Sequence, residues 1–201
     1  MKLKKWEIAL TAAVIATVLW GFHAERQQTA LAEKLIRFHV VADSDCEGDQ
    51  DIKLKVRDAV MEELNTILDG VTTREEAYTA IDRELGAITE TANTVLRGTD
   101  TGDTATVTLT EESFPTRYYD TFTLPAGKYT SLRITIGEGA GHNWWCVVFP
   151  PLCTSAAVEE RAAGSFSEDE IKLITEDGGG AVIRFKTLEL IAKIKDWCGG
   201  R

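Results

Sequence analysis

The sequence is short of basic residues: 22 Lys and Arg stand against 32 Asp and Glu, a formal charge of −10 at pH 7. A duplex-binding footprint needs the opposite excess, so nucleic acid is not an expected partner. Histidine is scarce as well, with three in 201 residues. One of these, His23, lies in a leader-like segment, which leaves His39 and His142 without the further ligand that a metal centre requires. There is no Cys-x-x-Cys pair and no Cys/His group at zinc spacing. No metal and no cofactor is expected.

Two motifs start and then fail. Gly137-Glu138-Gly139-Ala140-Gly141 lacks the Lys-Ser/Thr of a phosphate loop and lies between two predicted strands rather than ahead of a helix, and Glu138 would repel a phosphate. Asp43, Asp45, Glu47 and Gly48 imitate the opening of a calcium loop, but Leu54 occupies the twelfth position, where a bidentate carboxylate is needed. The expected use of this polar stretch is capping: Ser44, Asp49 and Asp51 suit the N-terminus of the following helix. No internal repeat is visible. The composition, 44% hydrophobic and 27% charged, is that of a chain that folds.

The charge is unevenly spread. Residues 1–30 carry Lys2, Lys4, Lys5 and Arg26 against Glu7 and Glu25, so the basic end stands apart from an acidic remainder. The lysines precede an almost uncharged run from Ile8 to Phe22, the pattern of a secretory leader. Fifteen helical residues cover roughly 22 Å, short of the ~30 Å hydrocarbon core, with Trp6 and His23 placed to extend the segment at its ends. Residues 1–30 are therefore expected to be a cleaved signal peptide or an uncleaved signal anchor, with residues 31–201 exported as one domain. Ala24 and Ala30-Leu31-Ala32 are both imperfect cleavage sites, and the two alternatives stay open.

In an exporting compartment the four cysteines, Cys46, Cys146, Cys153 and Cys198, can pair in three ways. Cys146 and Cys153 flank Phe149-Pro150-Pro151, a turn able to bring their Cα atoms within about 5.5 Å. That bond is the expected one.

Periodicity supplies the elements. Leu35–Ala42 reads as a first strand, with Arg37 and His39 on one alternating face. Ile52, Val56, Val60, Leu64 and Ile67 make an apolar stripe over Asp51–Leu68, closed by Gly70. Thr73 and Glu76 form a capping box that opens a second helix, carrying Tyr78, Ile81, Leu85, Ile88, Ala92 and Val95, up to Gly98. Thr104–Thr110 alternates as a half-buried strand, and Thr121–Leu124 and Tyr129–Ile136 read as a hairpin around Pro125-Ala126-Gly127. Trp144–Phe149 is apolar at successive positions, as in a central strand. A strand at Ala181–Phe185 and a helix at Lys186–Trp197 complete the reading. The expected fold is α+β: one domain, a mostly antiparallel sheet, two N-terminal helices and a C-terminal helix packed on it.

Chemistry is thin. His142 and Cys146, with Asn143, could serve a thiol hydrolase, but a strand would turn Cys146 to the same face as Trp144 and Val148, into the core. No catalytic residue is therefore assigned. The stronger signal is a surface. His142-Asn143-Trp144-Trp145 follows a Gly-rich loop, and adjacent tryptophans in a strand face opposite ways, so at most one fills the main core and the other is either covered or exposed as a binding anchor.

Three stretches carry a resemblance: His39-Val40-Val41-Ala42-Asp43-Ser44-Asp45, Leu54–Val60 (LKVRDAV), and above all Thr121–Gly127 (TFTLPAG) running through Gly137–Cys153 (GEGAGHNWWCVVFPPLC). They resemble the stage II sporulation protein R family over roughly residues 35–153, resuming at Arg184-Phe185-Lys186, although Asp43 stands where Asn is expected. The resemblance implies a signalling protein of endospore formation, not an enzyme. Such a protein is exported from the forespore into the intermembrane space, or held on its membrane by an uncleaved leader. There it activates a membrane-embedded aspartic protease of the mother-cell membrane, which then processes a sigma-factor precursor. His142, Asn143, Trp144 and Trp145 are the expected partner contacts.

Overall fold

A computed structural model describes residues 4–119 and 122–151. The described residues divide into two compact units, one made of residues 4–32, 114–119 and 122–127, the other of residues 33–113 and 128–151.

In the first unit, α1 (Lys5–Ala32) takes the whole apolar run into a single helix. Trp6, Ile8, Leu10, Ile15, Leu19 and Trp20 are exposed along it, whereas Leu31 and Ala32 at its end are buried. No helix among the described residues is long and apolar enough to cross a membrane.

The second unit begins with β1 (Ile36–Val41), all six residues of which are buried. Ile36, Phe38 and Val40 enter the core on one face, and Arg37, His39 and Val41 point to the other, as a period of two requires. Next comes α2 (Glu47–Ile67), which buries Ile52, Val56, Val60 and Leu64 on the expected stripe. It starts four residues earlier than periodicity suggests, and its N-cap is Cys46, whose sulfur accepts from the Asp49 N–H. Ser44 serves the same turn differently, donating its hydroxyl to the Asp49 carboxylate at 2.5 Å.

The single second helix expected here is two: α3 (Arg74–Arg83) and α4 (Leu85–Arg97), meeting at Glu84. The capping box is present, the Thr73 hydroxyl accepting from Glu76 N–H and the Glu76 carboxylate accepting from Thr73 N–H. The break comes two residues before Gly86, a poor helix former. Ile81, Ile88 and Ala92 still reach the core, with Leu85 and Val95 partly buried against it and Leu96 joining it, but Tyr78 is left exposed.

The remaining strands are β2 (Ala105–Phe114), β3 (Arg117–Tyr118), β4 (Thr123–Leu124), β5 (Gly127–Ile136) and β6 (Asn143–Phe149). The four-stranded sheet runs β2-β5-β1-β6, and β3 pairs with β4 alone, in the first unit. The sheet is mixed and so not purely antiparallel: β1 lies parallel to β5 and antiparallel to β6. A parallel pair needs a long crossover, and the α2–α4 layer between β1 and β5 supplies it. The expected β4–β5 hairpin does not form. β5 carries Leu132, Ile134 and Ile136 into the core and is placed between β2 and β1, where that face is covered. Among the described residues β6 pairs with β1 alone. The expected strand at 181–185 and helix at 186–197 lie outside the described residues.

Candidate functional site

Strand order dictates the site. β5 and β1 are parallel, so β5 finishes at the end where β1 finishes, and β6 begins there on β1's far side, with Asn143 opposite Val41. Residues 137–142 must therefore cross the end of β1, about 10 Å from one flanking strand to the other. The Gly-rich run is this strap, not the connection of a hairpin.

The strap is tied to the β1–α2 loop along its length. The Asp43 carboxylate accepts from Glu138 N–H at 2.6 Å, Asp43 O from Ala140 N–H at 2.9 Å and Ala42 O from Gly141 N–H at 3.0 Å. Asp45 Oδ1 accepts from His142 N–H at 2.6 Å and also pairs with His142 Nδ1. Lys53, only 6% exposed, donates from α2 to His142 O at 3.0 Å and to Gln50 Oε1. Two glycines are needed for this approach. Gly137 has φ +54° and a Cβ there would meet the Asp43 carboxylate; a Cβ on Gly141 would meet the Ser44 carbonyl. Polar residues that imitate a calcium loop are thus the fasteners of the strap.

These contacts set the acid–base behaviour. The His142 N–H donating to Asp45 holds that carboxyl below its ordinary value of 3.8, and the His142 ring adds to the effect. Ser44 does the same for Asp49. Burial lowers the Lys53 ammonium, with Asp45 opposing. A depressed carboxyl stabilises the fold above its unfolded value and loses that contribution as pH falls through its folded value, so the strap should loosen below 3.8. The His142 amide proton is expected to shift with an acid midpoint below that value, and Asp45→Asn to abolish the step; NMR titration of that amide checks both.

The expected contact residues fall on three surfaces. His142 stands on the strap with its side chain 80% exposed. Asn143 opens β6, half-buried. Trp144 faces the helices, edge-on to Phe38 at 6.0 Å, with the Arg57 guanidinium 4.9 Å above its ring. Trp145 faces the other way and stacks flat on His39, centroids 4.8 Å apart. Neither indole is fully buried. Cys146 is buried beside the core face of β1, across from Phe38. Four residue steps along extended backbone, about 13 Å, separate it from His142, so the two are not brought together as nucleophile and base. Cys46 carries a free thiol, so the four cysteines do not form two bonds among themselves; Cys153 lies outside the described residues.

A second group of polar residues was not anticipated as a set. His39, 3% exposed, shares a hydrogen bond from Nε2 to Glu112 Oε2 on β2 at 2.7 Å. Arg133 on β5 donates to Glu112 Oε1 at 3.3 Å. Burial pushes the His39 imidazole below its ordinary 6.5, against the pull of Glu112. Burial acts upward on Glu112, but the hydrogen bonds from His39 and Arg133 outweigh it and leave the carboxyl low. Alternation places His39 on the face away from the helices; that Glu112 reaches it depends on β5 lying between their strands.

The profile of the family described as Stage II sporulation protein R matches residues 32–159. The chain belongs to the stage II sporulation protein R family. Stage II sporulation protein R of Bacillus subtilis (strain 168) is 35% identical to it over 159 residues, 77% of this chain and 71% of that protein. No solved structure matches. The family's span takes in β1 through β6 and therefore both the strap and its fasteners. Membership gives the chain a role in sporulation.

Proposed function

We propose that this protein is the exported signal of endospore formation that activates a membrane-embedded aspartic protease in the mother-cell membrane, leading to maturation of a sigma-factor precursor. Membership of the stage II sporulation protein R family carries the reading. The lysine-flanked apolar leader supports delivery to the intermembrane space, free or held by an uncleaved segment. The protein acts by binding, with His142 and Asn143 at the end of the strap as its central contacts, the part-exposed Trp144 and Trp145 on the two faces of β6 beside them, and a Cys146–Cys153 bond closing the turn behind. Support for the patch comes from the strap, which holds an exposed imidazole on a backbone fixed at Asp43 and Asp45. A contact surface that is already ordered loses little freedom on binding.

The test is co-expression of the full chain with the protease and its precursor in a non-sporulating host, with and without residues 1–24. Processing should require both the chain and its leader; processing that proceeds without the chain would sink the reading. His142→Ala should reduce processing about tenfold or more while the melting temperature stays near wild type, since a contact residue of this kind contributes on the order of 1–2 kcal/mol. Unchanged processing in that variant removes His142 from the patch.

A further inference from the structure

Among the described residues β2 has a strand on one side only, β5. Backbone groups alternate sides along a strand, so every second residue of β2 turns its N–H and C=O away from β5. Thr104 marks the inner side, its carbonyl accepting from Gly137 N–H at 3.0 Å. Ala105 turns outward, and there the Asn93 side chain of α4 takes both its groups, accepting from its N–H at 2.8 Å and donating to its C=O at 3.1 Å. One amide side chain stands in for a neighbouring strand at that residue. The next outward groups belong to Val107 and Leu109, and no side chain among the described residues meets them.

This stretch lacks the usual defences of a sheet edge. Thr104–Thr110 (TATVTLT) contains no charge, proline or glycine. Thr106, Thr108 and Thr110 are exposed, and Val107 and Leu109 are half-buried against the core on the other face. Uncharged runs of such β propensity add readily to another strand. The pattern Thr-Val-Thr-Leu-Thr also reads alike in both directions about Thr108. An antiparallel second copy, turned about a two-fold axis at Thr108, therefore sets Thr108 against Thr108, Thr106 against Thr110 and Val107 against Leu109. Val107 and Leu109 are the residues whose backbone groups face outward, so each such pair exchanges its hydrogen bonds, and the Asn93 clasp at Ala105 ends the ladder. Charge selects the same register. It sets Glu111 opposite Ala105 and Asp103 opposite Ser113, whereas an axis at Val107 would set Asp103 against Glu111, and one at Leu109 would set the Glu111 carboxylate against Val107.

We infer that the open edge of β2 is a contact between two copies of this chain, whose β2 strands pair antiparallel across a two-fold axis at Thr108 and join their four-stranded sheets into one. Residues 106–110 of each copy cover less than the about 1,200 Å² of a standard stable complex, so the pair is weak and forms as concentration rises. The inference stands independently of the signalling reading, because it is measured on the full chain alone.

Cross-linking of the full chain in mild detergent tests it. Cys46 is exposed and free, so the variants are made on Cys46→Ser, which keeps a side-chain cap on α2. Residues opposite one another in a non-hydrogen-bonded pair have Cα atoms about 4.5 Å apart, within disulfide reach. Under mild oxidation Thr108→Cys should therefore yield at least about tenfold more covalent dimer than its parent, whereas Thr106→Cys, with its two copies about 13 Å apart, should not. Sedimentation supplies the second measurement. Thr108→Lys should weaken dimerisation about tenfold or more by facing two ammonium groups, and Thr66→Lys, exposed on α2, should leave it unchanged. Equal cross-linking at 106 and 108 overturns the inference, as does a dimer that survives Thr108→Lys. A chain that stays monomeric up to about 100 μM overturns it too, and gives the edge to a strand of a different protein.

Discussion

Phe38→Ala is expected to destabilise the protein by about 3–5 kcal/mol, the range for emptying a buried aromatic site. Phe38 is fully buried on the core face of β1, the strand flanked by β5 and β6. It is also the edge-on neighbour of Trp144, so its removal leaves a cavity and deprives that indole of a wall. Cavities beneath an interior strand close poorly, because hydrogen bonds on both sides hold the strand in place. Guanidinium chloride unfolding of the full chain measures the loss as a fall in the transition midpoint at unchanged slope. A loss below about 1 kcal/mol would show that Trp144 refills the space and that Phe38 does not anchor this end of the core.

The second large effect is expected at the strap. Gly141→Val should cost about 1–3 kcal/mol and, in contrast to a core cavity, by overcrowding. The new Cβ would meet the carbonyl of Ser44, with the Ser44 carbon at 2.6 Å and the Ala42 Cβ at 3.0 Å. The carbonyl is backbone, and it cannot swing aside as a side-chain tip would. Yielding means parting the strap from the β1–α2 loop, which gives up the Gly141–Ala42 hydrogen bond and disturbs the Asp45–His142 pair beside it. Gly48→Ala supplies the contrast. Nothing lies within 4 Å of a Cβ at that position, early in α2, so that change should be neutral or stabilise by up to about 1 kcal/mol. The same denaturant experiment compares them, and equal effects in the two variants would refute the strap argument. If the strap presents the contact residues, Gly141→Val should also reduce precursor processing by more than its stability loss accounts for.

Elements defined by local pattern were legible in the sequence. The stripe Ile52, Val56, Val60 and Leu64 is the buried face of α2, Thr73 and Glu76 do cap α3, and the alternation through β1 does separate Phe38 from His39. Periods of 3.6 and 2 belong to the backbone itself, so residues near in sequence suffice to reveal them. The opposed tryptophans follow from the same rule. Family membership was equally legible, because Gly137–Cys153 is long and unusual in composition.

Pairing was not legible. The expected β4–β5 hairpin is a local solution, and the fold rejects it because β5 gains more by joining β1 across the 85 residues from Ala42 to Ala126, where Leu132, Ile134 and Ile136 meet the core. Once that parallel pair forms, residues 137–142 have to pass over the end of β1, and the acidic loop after β1 acquires its partners.

By itself, then, the amino-acid order determined the α+β class, which faces of its helices and strands are apolar, and which family the chain joins. Only the tertiary structure decided that Asp43 and Asp45 fasten a strap and that His39, Glu112 and Arg133 share one row. The physical reason is that these contacts link residues many positions apart, and their existence depends on strand order, which burial of the whole sheet selects and no short window of sequence contains.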